Sequence, residues 1–563
     1  MDNFNSNGKY RWLVILIAVA YFFVASIFVF TLWLPQYAES GQAVFNWPDA
    51  MANFSFIKSF ITDSQFQIPF AGNVEIQNIV HPRSVNVFAG NIVPMSFLGQ
   101  ILLFGVIGKI IGIYGVFFLT PLMASLAVYY FYRLIFQVFK DELVGVISAV
   151  LLATLAAFVY YSMLVMLHAV LFLALLIIGF WVLVKDNKDN KPINQYFSVC
   201  SGGLLIGLAL AVRTVEAPWV LMVVLILFLV YRLKRWRTHI PLFILGLIIA
   251  FTPILVANNS LYGEPLTLGY LKMEQSGDIL DRLPNEFQVH SRSLVERIAQ
   301  TVFLPFGWNP KNILKVGYYF LAEYYWPYLI LAAWGVVGFL LQKKKKKDIW
   351  VYLGVSAIIC LWLIMYYGNW RFDDNDVLKY ASISSSYMRY FLPIYIVLLP
   401  GVAYSLTFVT KSKSFRTIKI FAAILLLTSV TIFSTHWALY GAKNDGLIHH
   451  QQTITEYYDR FVIADGILSE NSIILTDRTD KYFFPKYQVV VFQLNYEIFP
   501  QLIKIIDDYP LYYMTVMPDK DISFINQEKI YEYGLIFHQP IKVDETYRLF
   551  KLDSLENFTK IQK

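Results

Sequence analysis

Asp49 stands in Trp47-Pro48-Asp49-Ala50, the first polar stretch after a long apolar N-terminal run. A carboxylate placed there can take a proton from a hydroxyl group. Arg213 and Arg389 each fall near the end of an apolar run, at the depth where a lipid phosphate sits, and a guanidinium grips phosphate in a two-pronged fork. His81 and Arg83 lie together in His81-Pro82-Arg83-Ser84, and His168 lies about one helical turn inside another run. The middles of the runs hold almost no ionisable groups, where a relay or transport path would need them. Any chemistry therefore belongs at a membrane face. Plainer readings stand beside these: a helix cap for Asp49, snorkelling side chains for the two arginines, a hydrogen-bonded structural role for His168, and a loop that positions its neighbours for His81 and Arg83.

The elements that must position these groups follow from composition. Of 563 residues, 57% are hydrophobic and only 15% charged, far from the balance of an ordinary soluble domain. A hydrocarbon core takes roughly 20 apolar residues per helix, and about eleven such stretches occur. They are Trp12 to Leu34, Tyr114 to Phe136, Leu143 to Tyr161, Leu164 to Val184, Phe197 to Val212 and Pro218 to Tyr231. The later five are Pro241 to Ala257, Trp326 to Leu341, Ile349 to Tyr367, Tyr390 to Val409 and Ile418 to Tyr440. The expected fold is a polytopic α-helical membrane protein.

Lys and Arg fix the expected orientation, because short basic loops stay in the cytoplasm. Lys9 and Arg11, Arg133 and Lys140, Lys185 to Lys191, Arg232 to Arg237, Lys343 to Lys347, and Lys411 to Lys419 all fall on one face. That face is read as cytoplasmic and carries the N-terminus. The first loop, the Leu261 to Tyr325 loop, the Asn369 to Met388 loop and the C-terminal tail then lie outside. Ile92 to Gly112 is apolar enough to count as another span, but a crossing there would turn every later basic loop outward. It is read as an outer-surface or re-entrant segment.

From Asn444 the long apolar runs stop and helical and strand patterns alternate. The division expected is residues 1–443 as a transmembrane domain, with a long first outer loop over 35–113, and residues 444–563 as a small extracytoplasmic α/β domain. Cys200 and Cys360 both fall inside expected spans and imply neither a disulfide framework nor a metal cluster. The formal charge of +7 fits basic loops meeting anionic lipid and calls for no nucleic acid. Near Asp49, Pro in a first turn beside an acid marks a helix start, and Met51, Phe54, Ile57 and Ile61 recur at helical spacing. That helix is expected to lie along the membrane surface, apolar side down.

One span, a long outer loop opening on Asp49, then His81-Pro82-Arg83-Ser84 and an apolar outer segment: this order resembles the GT-C superfamily, which includes protein O-mannosyltransferases and lipid A aminoarabinose transferases. Gly207-Leu208-Ala209 leading to Arg213, Asn258 to Tyr270 with Leu268-Gly269-Tyr270, and Arg389-Tyr390-Phe391-Leu392-Pro393 are similar to the family too. The resemblance implies a membrane glycosyltransferase, hexosyl or pentosyl. It would move a sugar, with inversion, from a polyprenyl-phosphate donor to an acceptor that is a protein, a lipid or a cell-wall glycan. Asp49 is then the base, and Arg213, Arg389, His81, Arg83, Tyr270 and His168 are substrate or phosphate contacts. The family often pairs its acid as Asp-Glu, whereas Ala50 follows here. The Trp-Trp-Asp signature of the oligosaccharyltransferase branch is missing, which disfavours transfer of whole oligosaccharides to asparagine.

The chemistry suits the residues apart from the resemblance. Attack of a hydroxyl on the anomeric carbon of a sugar phosphate needs a carboxylate for the proton and cations for the departing phosphate. Asp373, Asp374 and Asp376 are weak candidates for a divalent cation, against the reading of a solvated acidic loop, and no other cofactor is implied. Two alternatives stay open, a transporter or flippase for lipid-linked glycans and a lipid-linked glycan polymerase or ligase. A transporter would show related halves and helices interrupted at mid-membrane, which the sequence does not display.

Overall fold

Inside a bilayer every backbone amide must find its partner within the protein, so long apolar segments are held to helices. The computed structural model describes residues 9–185, 192–232, 235–267, 269, 307–341, 347–370, 381–410, 415–493 and 495–557. Among them, nine helices are long and apolar enough to cross a membrane, or ten with one bent pair. This is a multi-pass membrane protein with a C-terminal sheet region. Eight of the eleven stretches expected from hydropathy are among the nine, and Leu143 to Tyr161 is the bent pair. The helices His168–Val184 and Tyr324–Leu340 fall one residue short of that length, and Gly99–Val116 was not expected as a span. The chain divides into two compact units.

The first unit comprises residues 1–27, 118–254 and 283–449. Its helices include α1 (Arg11–Ala25), then α5 (Leu119–Phe139), α6 (Glu142–Thr154), α7 (Ala156–Met163), α8 (His168–Val184), α9 (Pro192–Val212) and α10 (Ala217–Leu227). Further on come Tyr324–Leu340, Lys347–Gly368, Leu392–Thr410 and Arg416–Tyr440. Asp141 opens α6 by accepting from the amides of Leu143 and Val144, as an N-cap should. Between α6 and α7 the extended Leu155 bends the path by 56°. The break frees two amides, and side chains from other helices take them: Ala156 N donates to Ser434 Oγ at 2.8 Å and Ala157 N to Tyr325 Oη at 3.3 Å. That is the repair a buried helix break requires.

The second unit comprises 28–117, 255–282 and 450–563. It begins with α2 (Leu34–Ser40) and α3 (Pro48–Asp63). A three-stranded antiparallel sheet follows, in the order β1 (Ile68–Pro69), β3 (Asn91–Pro94), β2 (Val85–Phe88). Next comes α4 (Gly99–Val116), the unexpected helix, with 18 residues and the composition of a span. Part of the stretch read as a surface segment, Ile92 to Pro94, is strand instead. Gly112, at φ 77, kinks α4. Gly105 and Gly108 lie so close to Phe60 and Ile61 of α3 that a methyl group on either would collide with them. Here α3 also departs from expectation. Residues Ala50 to Ile57 are buried on every side, Asn53 and Ser55 included, so the first half of α3 is interior, while Lys58 to Ile61 are half-buried and Thr62 and Asp63 exposed.

The C-terminal sheet runs β5 (Gln488–Val491), β4 (Ile473–Thr476), β6 (Leu511–Thr515), β9 (Arg548–Ser554), β7 (Leu535–Phe537), with β8 (Ile541–Lys542) on β9. β4 pairs in parallel with β5 and β6, and β9 is antiparallel to β6, β7 and β8. Its core takes Phe70, Ile76 and Val80 from the first-loop segment into contact with Ile473, Leu475, Val490 and Phe499. Val80 and His81 also bridge to Val490 of the edge strand. The sheet region and the segment after the first helix thus share one hydrophobic core.

Candidate active site

In the second unit, Trp47 in extended backbone and Pro48 in the first turn start α3, which puts Asp49 beside the helix N-terminus. The amides of Ala50 and Met51 donate to the carbonyl of Trp47. Asp49 is half-buried, and its Oδ1 accepts from Ser84 Oγ at 2.8 Å. Negative charge at this end of a helix is stabilised by the backbone dipoles. The sequence motif around Ser84 therefore does meet the expected base.

Arg83 sits differently from expectation. Its guanidinium and amide both go to Asp480: Nε lies 3.0 Å from Oδ1, Nη2 2.5 Å from Oδ1, and the backbone N 2.9 Å from Oδ2. Nη2 also donates to the carbonyl of Arg478 at 2.8 Å. With its charge matched by a fully buried carboxylate, Arg83 acts first as a structural pair. The ring of His81 is turned by its own loop, with Nδ1 2.9 Å from the Pro82 carbonyl. From the segment expected to resemble the family, Tyr262 Oη donates to the Pro94 carbonyl at 2.6 Å and Asn86 Nδ2 donates to that of Gly269 at 3.2 Å. These contacts brace the small sheet. Tyr270, Asp373, Asp374 and Asp376 lie outside the described residues, and no group of three His, Cys, Asp or Glu among the described residues is placed to hold a metal ion.

In the first unit, Arg213 follows the end of α9 and precedes a 3-10 turn, Thr214–Glu216, that leads into α10. The turn folds Glu216 back onto it, Nη2 to Oε1 at 2.7 Å, with both side chains almost completely buried. Tyr367 Oη donates to the same carboxylate oxygen at 2.8 Å, and Trp219 Nε1 donates to Oε2 at 2.5 Å. Arg389 is carried by the short helix Ser386–Tyr390, capped by the Ser385 hydroxyl, and its Nη2 donates to Tyr390 Oη at 3.1 Å. The two arginines meet around one ring: their guanidinium carbons lie 4.6 and 4.9 Å from the centroid of Tyr390. Tyr367 stacks on that ring at 4.6 Å and 9°. Cations over aromatic faces are favourable, so the stack holds two positive groups close together. His168 is the first residue of α8.

Beside this cluster is an apolar cavity of about 120 Å³, walled by residues that include Phe131, Leu173, Trp219, Val223, Val355 and Ile396. Trp219 belongs to both: its ring lines the cavity, and its N–H holds Glu216. The arrangement suits an anion joined to a long apolar chain. Sequence reasoning missed Glu216 as counter-ion, together with Tyr367, Trp219, Asp480 and Lys481. Spacing offered a signal for Glu216 and Trp219, each three residues on from the last, but none for the others.

The fold of the chain has counterparts among solved membrane-protein structures. The chain is similar to ArnT from Cupriavidus metallidurans bound to undecaprenyl phosphate, with TM-score 0.54 and 11% identity over 97% of this chain and 98% of that one. The Archaeoglobus fulgidus oligosaccharyltransferase in the apo form matches with TM-score 0.49 and 13% identity over 92% of this chain and 70% of that one, too slight a likeness to build on. No protein-family model and no curated protein matches the chain.

Proposed function

We propose that the protein is an integral-membrane glycosyltransferase that moves a sugar from a polyprenyl-phosphate donor to an acceptor hydroxyl on the outer membrane face. The basic loops support this orientation, with the N-terminus in the cytoplasm. The acceptor oxygen attacks the anomeric carbon as the carbon–oxygen bond to phosphate breaks. The proton passes to the carboxylate of Asp49, and the electron pair leaves with the phosphate. One displacement inverts the anomeric centre. Arg213 and Arg389 hold the departing phosphate, where fixed positive charge acts most strongly on the transition state. Because Glu216 already balances Arg213, Arg389 contributes the larger share of net positive charge.

The observation that carries this reading is the pair of guanidinium groups around Tyr390 beside an apolar cavity that shares Trp219 with them. A phosphate on a polyprenyl tail needs both. The neighbour ArnT was obtained with undecaprenyl phosphate bound, which agrees with this choice of carrier. The test is transfer by the purified protein from a panel of polyprenyl-phosphate sugars, with wild type beside Asp49→Asn. Loss of a general base should cost about 10²–10⁴-fold in turnover while the protein still folds in the membrane. Full activity in Asp49→Asn would remove Asp49 from the mechanism, and no transfer from any donor would overturn the reading. Movement of a lipid-linked glycan across vesicles without bond cleavage would favour a flippase.

A further inference from the structure

The chain leaving β4 turns into a one-turn helix, Asp480–Phe483, whose consecutive residues reach pieces of chain some four hundred positions earlier. Asp480, fully buried, takes the backbone N and the guanidinium of Arg83. Lys481 Nζ donates to the backbone carbonyl of Asn46 at 2.7 Å and to its Oδ1 at 3.1 Å. The same ammonium lies 4.6 Å over the ring of Tyr457. Just after them, the carbonyls of Tyr482 and Phe484 accept from Gln42 Nε2 at 3.1 and 2.7 Å.

These attachments converge on one residue. Asn46 stands three positions before Asp49, and Arg83 immediately precedes Ser84, the donor to Asp49. On each side a main-chain atom is held, the carbonyl of Asn46 and the amide of Arg83, so the backbone itself is fixed. We propose that Asp480 and Lys481 are positioning residues that clamp both flanks of Asp49, making the C-terminal sheet region part of the reaction machinery; this rests on Asp49 as the base.

Stability alone gives a poor account of Lys481. Burial pulls its amine down to about 7, the positive charges of Arg83 and Arg478 push the same way, and only Asp480 opposes them. A lysine so placed costs stability wherever it must carry its charge, an expense an apolar residue of similar size would avoid. Its hold on Asn46 is what such a residue could not supply.

The test uses the full-length protein in lipid nanodiscs, comparing wild type with Lys481→Met and Lys481→Arg. Three quantities are measured: amide hydrogen exchange over residues 42–51, thermal unfolding, and kcat and KM for sugar transfer. Losing the two bonds to Asn46 should speed exchange at Ala50 and Met51 and lower kcat by about tenfold or more, with KM unchanged. Lys481→Met should unfold no earlier than wild type. Lys481→Arg, which can still reach the Asn46 carbonyl, should recover most of both losses. Unchanged exchange over 42–51 in Lys481→Met overturns the clamp, as does faster exchange spread through the sheet with a lower melting temperature. A wild type that transfers no sugar from any donor sinks the proposed function, while exchange still decides the clamp.

Discussion

Glu216→Gln isolates the electrostatic logic of the arginine cluster. The carboxylate receives Arg213, Tyr367 and Trp219 with only 1% of its side chain exposed, and the substitution keeps its size while deleting its charge. Arg213, with 5% of its side chain exposed, would be left as a buried cation without a counter-ion. Unit charges 4 Å apart at an effective dielectric of about 20 attract by about 4 kcal/mol. Breaking one partner out of a buried pair is measured at about 3–5 kcal/mol. The two figures agree, and Glu216→Gln should lose about that much in a graded SDS unfolding titration of the purified protein. If Arg213 faces the donor's phosphate, polyprenyl phosphate would then stand in for the missing carboxylate. Ligand at a hundred times its Kd stabilises by about 2.7 kcal/mol, and a charge newly freed for it should lower Kd. The titration repeated with polyprenyl phosphate should therefore stabilise the variant more than the wild type. Equal stabilisation of both would refute Arg213 as a phosphate contact. A variant as stable as wild type would refute the buried pair itself.

Ser84→Ala removes the hydroxyl donor to Asp49; hydrogen bonds to a charged group contribute about 1.5–3 kcal/mol, so kcat in a transfer assay should fall about ten- to a hundredfold with KM unchanged. Asp477, at the end of β4, has its carboxyl raised by burial against the opposing bonds from Tyr513 and Thr515. A raised carboxyl favours the folded state at low pH, and that contribution is lost as pH rises through the folded-state value. Asp477→Asn should accordingly melt higher than wild type at neutral pH, with the gain shrinking in mildly acidic buffer. Arg389→Gln should weaken binding of polyprenyl phosphate more than Arg213→Gln does, measured by ligand-dependent unfolding, because Glu216 already neutralises Arg213. Equal losses would show that pairing with Glu216 does not discount the Arg213 charge.

What the sequence by itself determined is whatever a short window of chain can carry. The spans were legible because a hydrocarbon solvent selects on local composition, and each helix closes its own backbone bonds within four residues. Several C-terminal strands were legible for a like reason: the short β-rich runs Ser472 to Thr476, Gln488 to Gln493 and Leu511 to Val516 read as strands, and the strands formed are Ile473–Thr476, Gln488–Val491 and Leu511–Thr515. The helix start at Pro48-Asp49 was likewise local. The surroundings of Asp49 were not. Its helix read as a surface element because Met51, Phe54 and Ile57 share one face, yet the other face is covered too, and Asn53 and Ser55 are buried with it. Only folded contacts revealed α4 packed on α3 through Gly105 and Gly108. Asp480 and Lys481 lie 397 and 435 positions from Arg83 and Asn46. Pairings of that kind leave no periodicity and no spacing in the chain, since they exist only once β4 has been laid between β5 and β6 and its outgoing turn aimed. Tertiary structure decided them because a charge buried at a distance is settled by whichever partner the packing brings within reach.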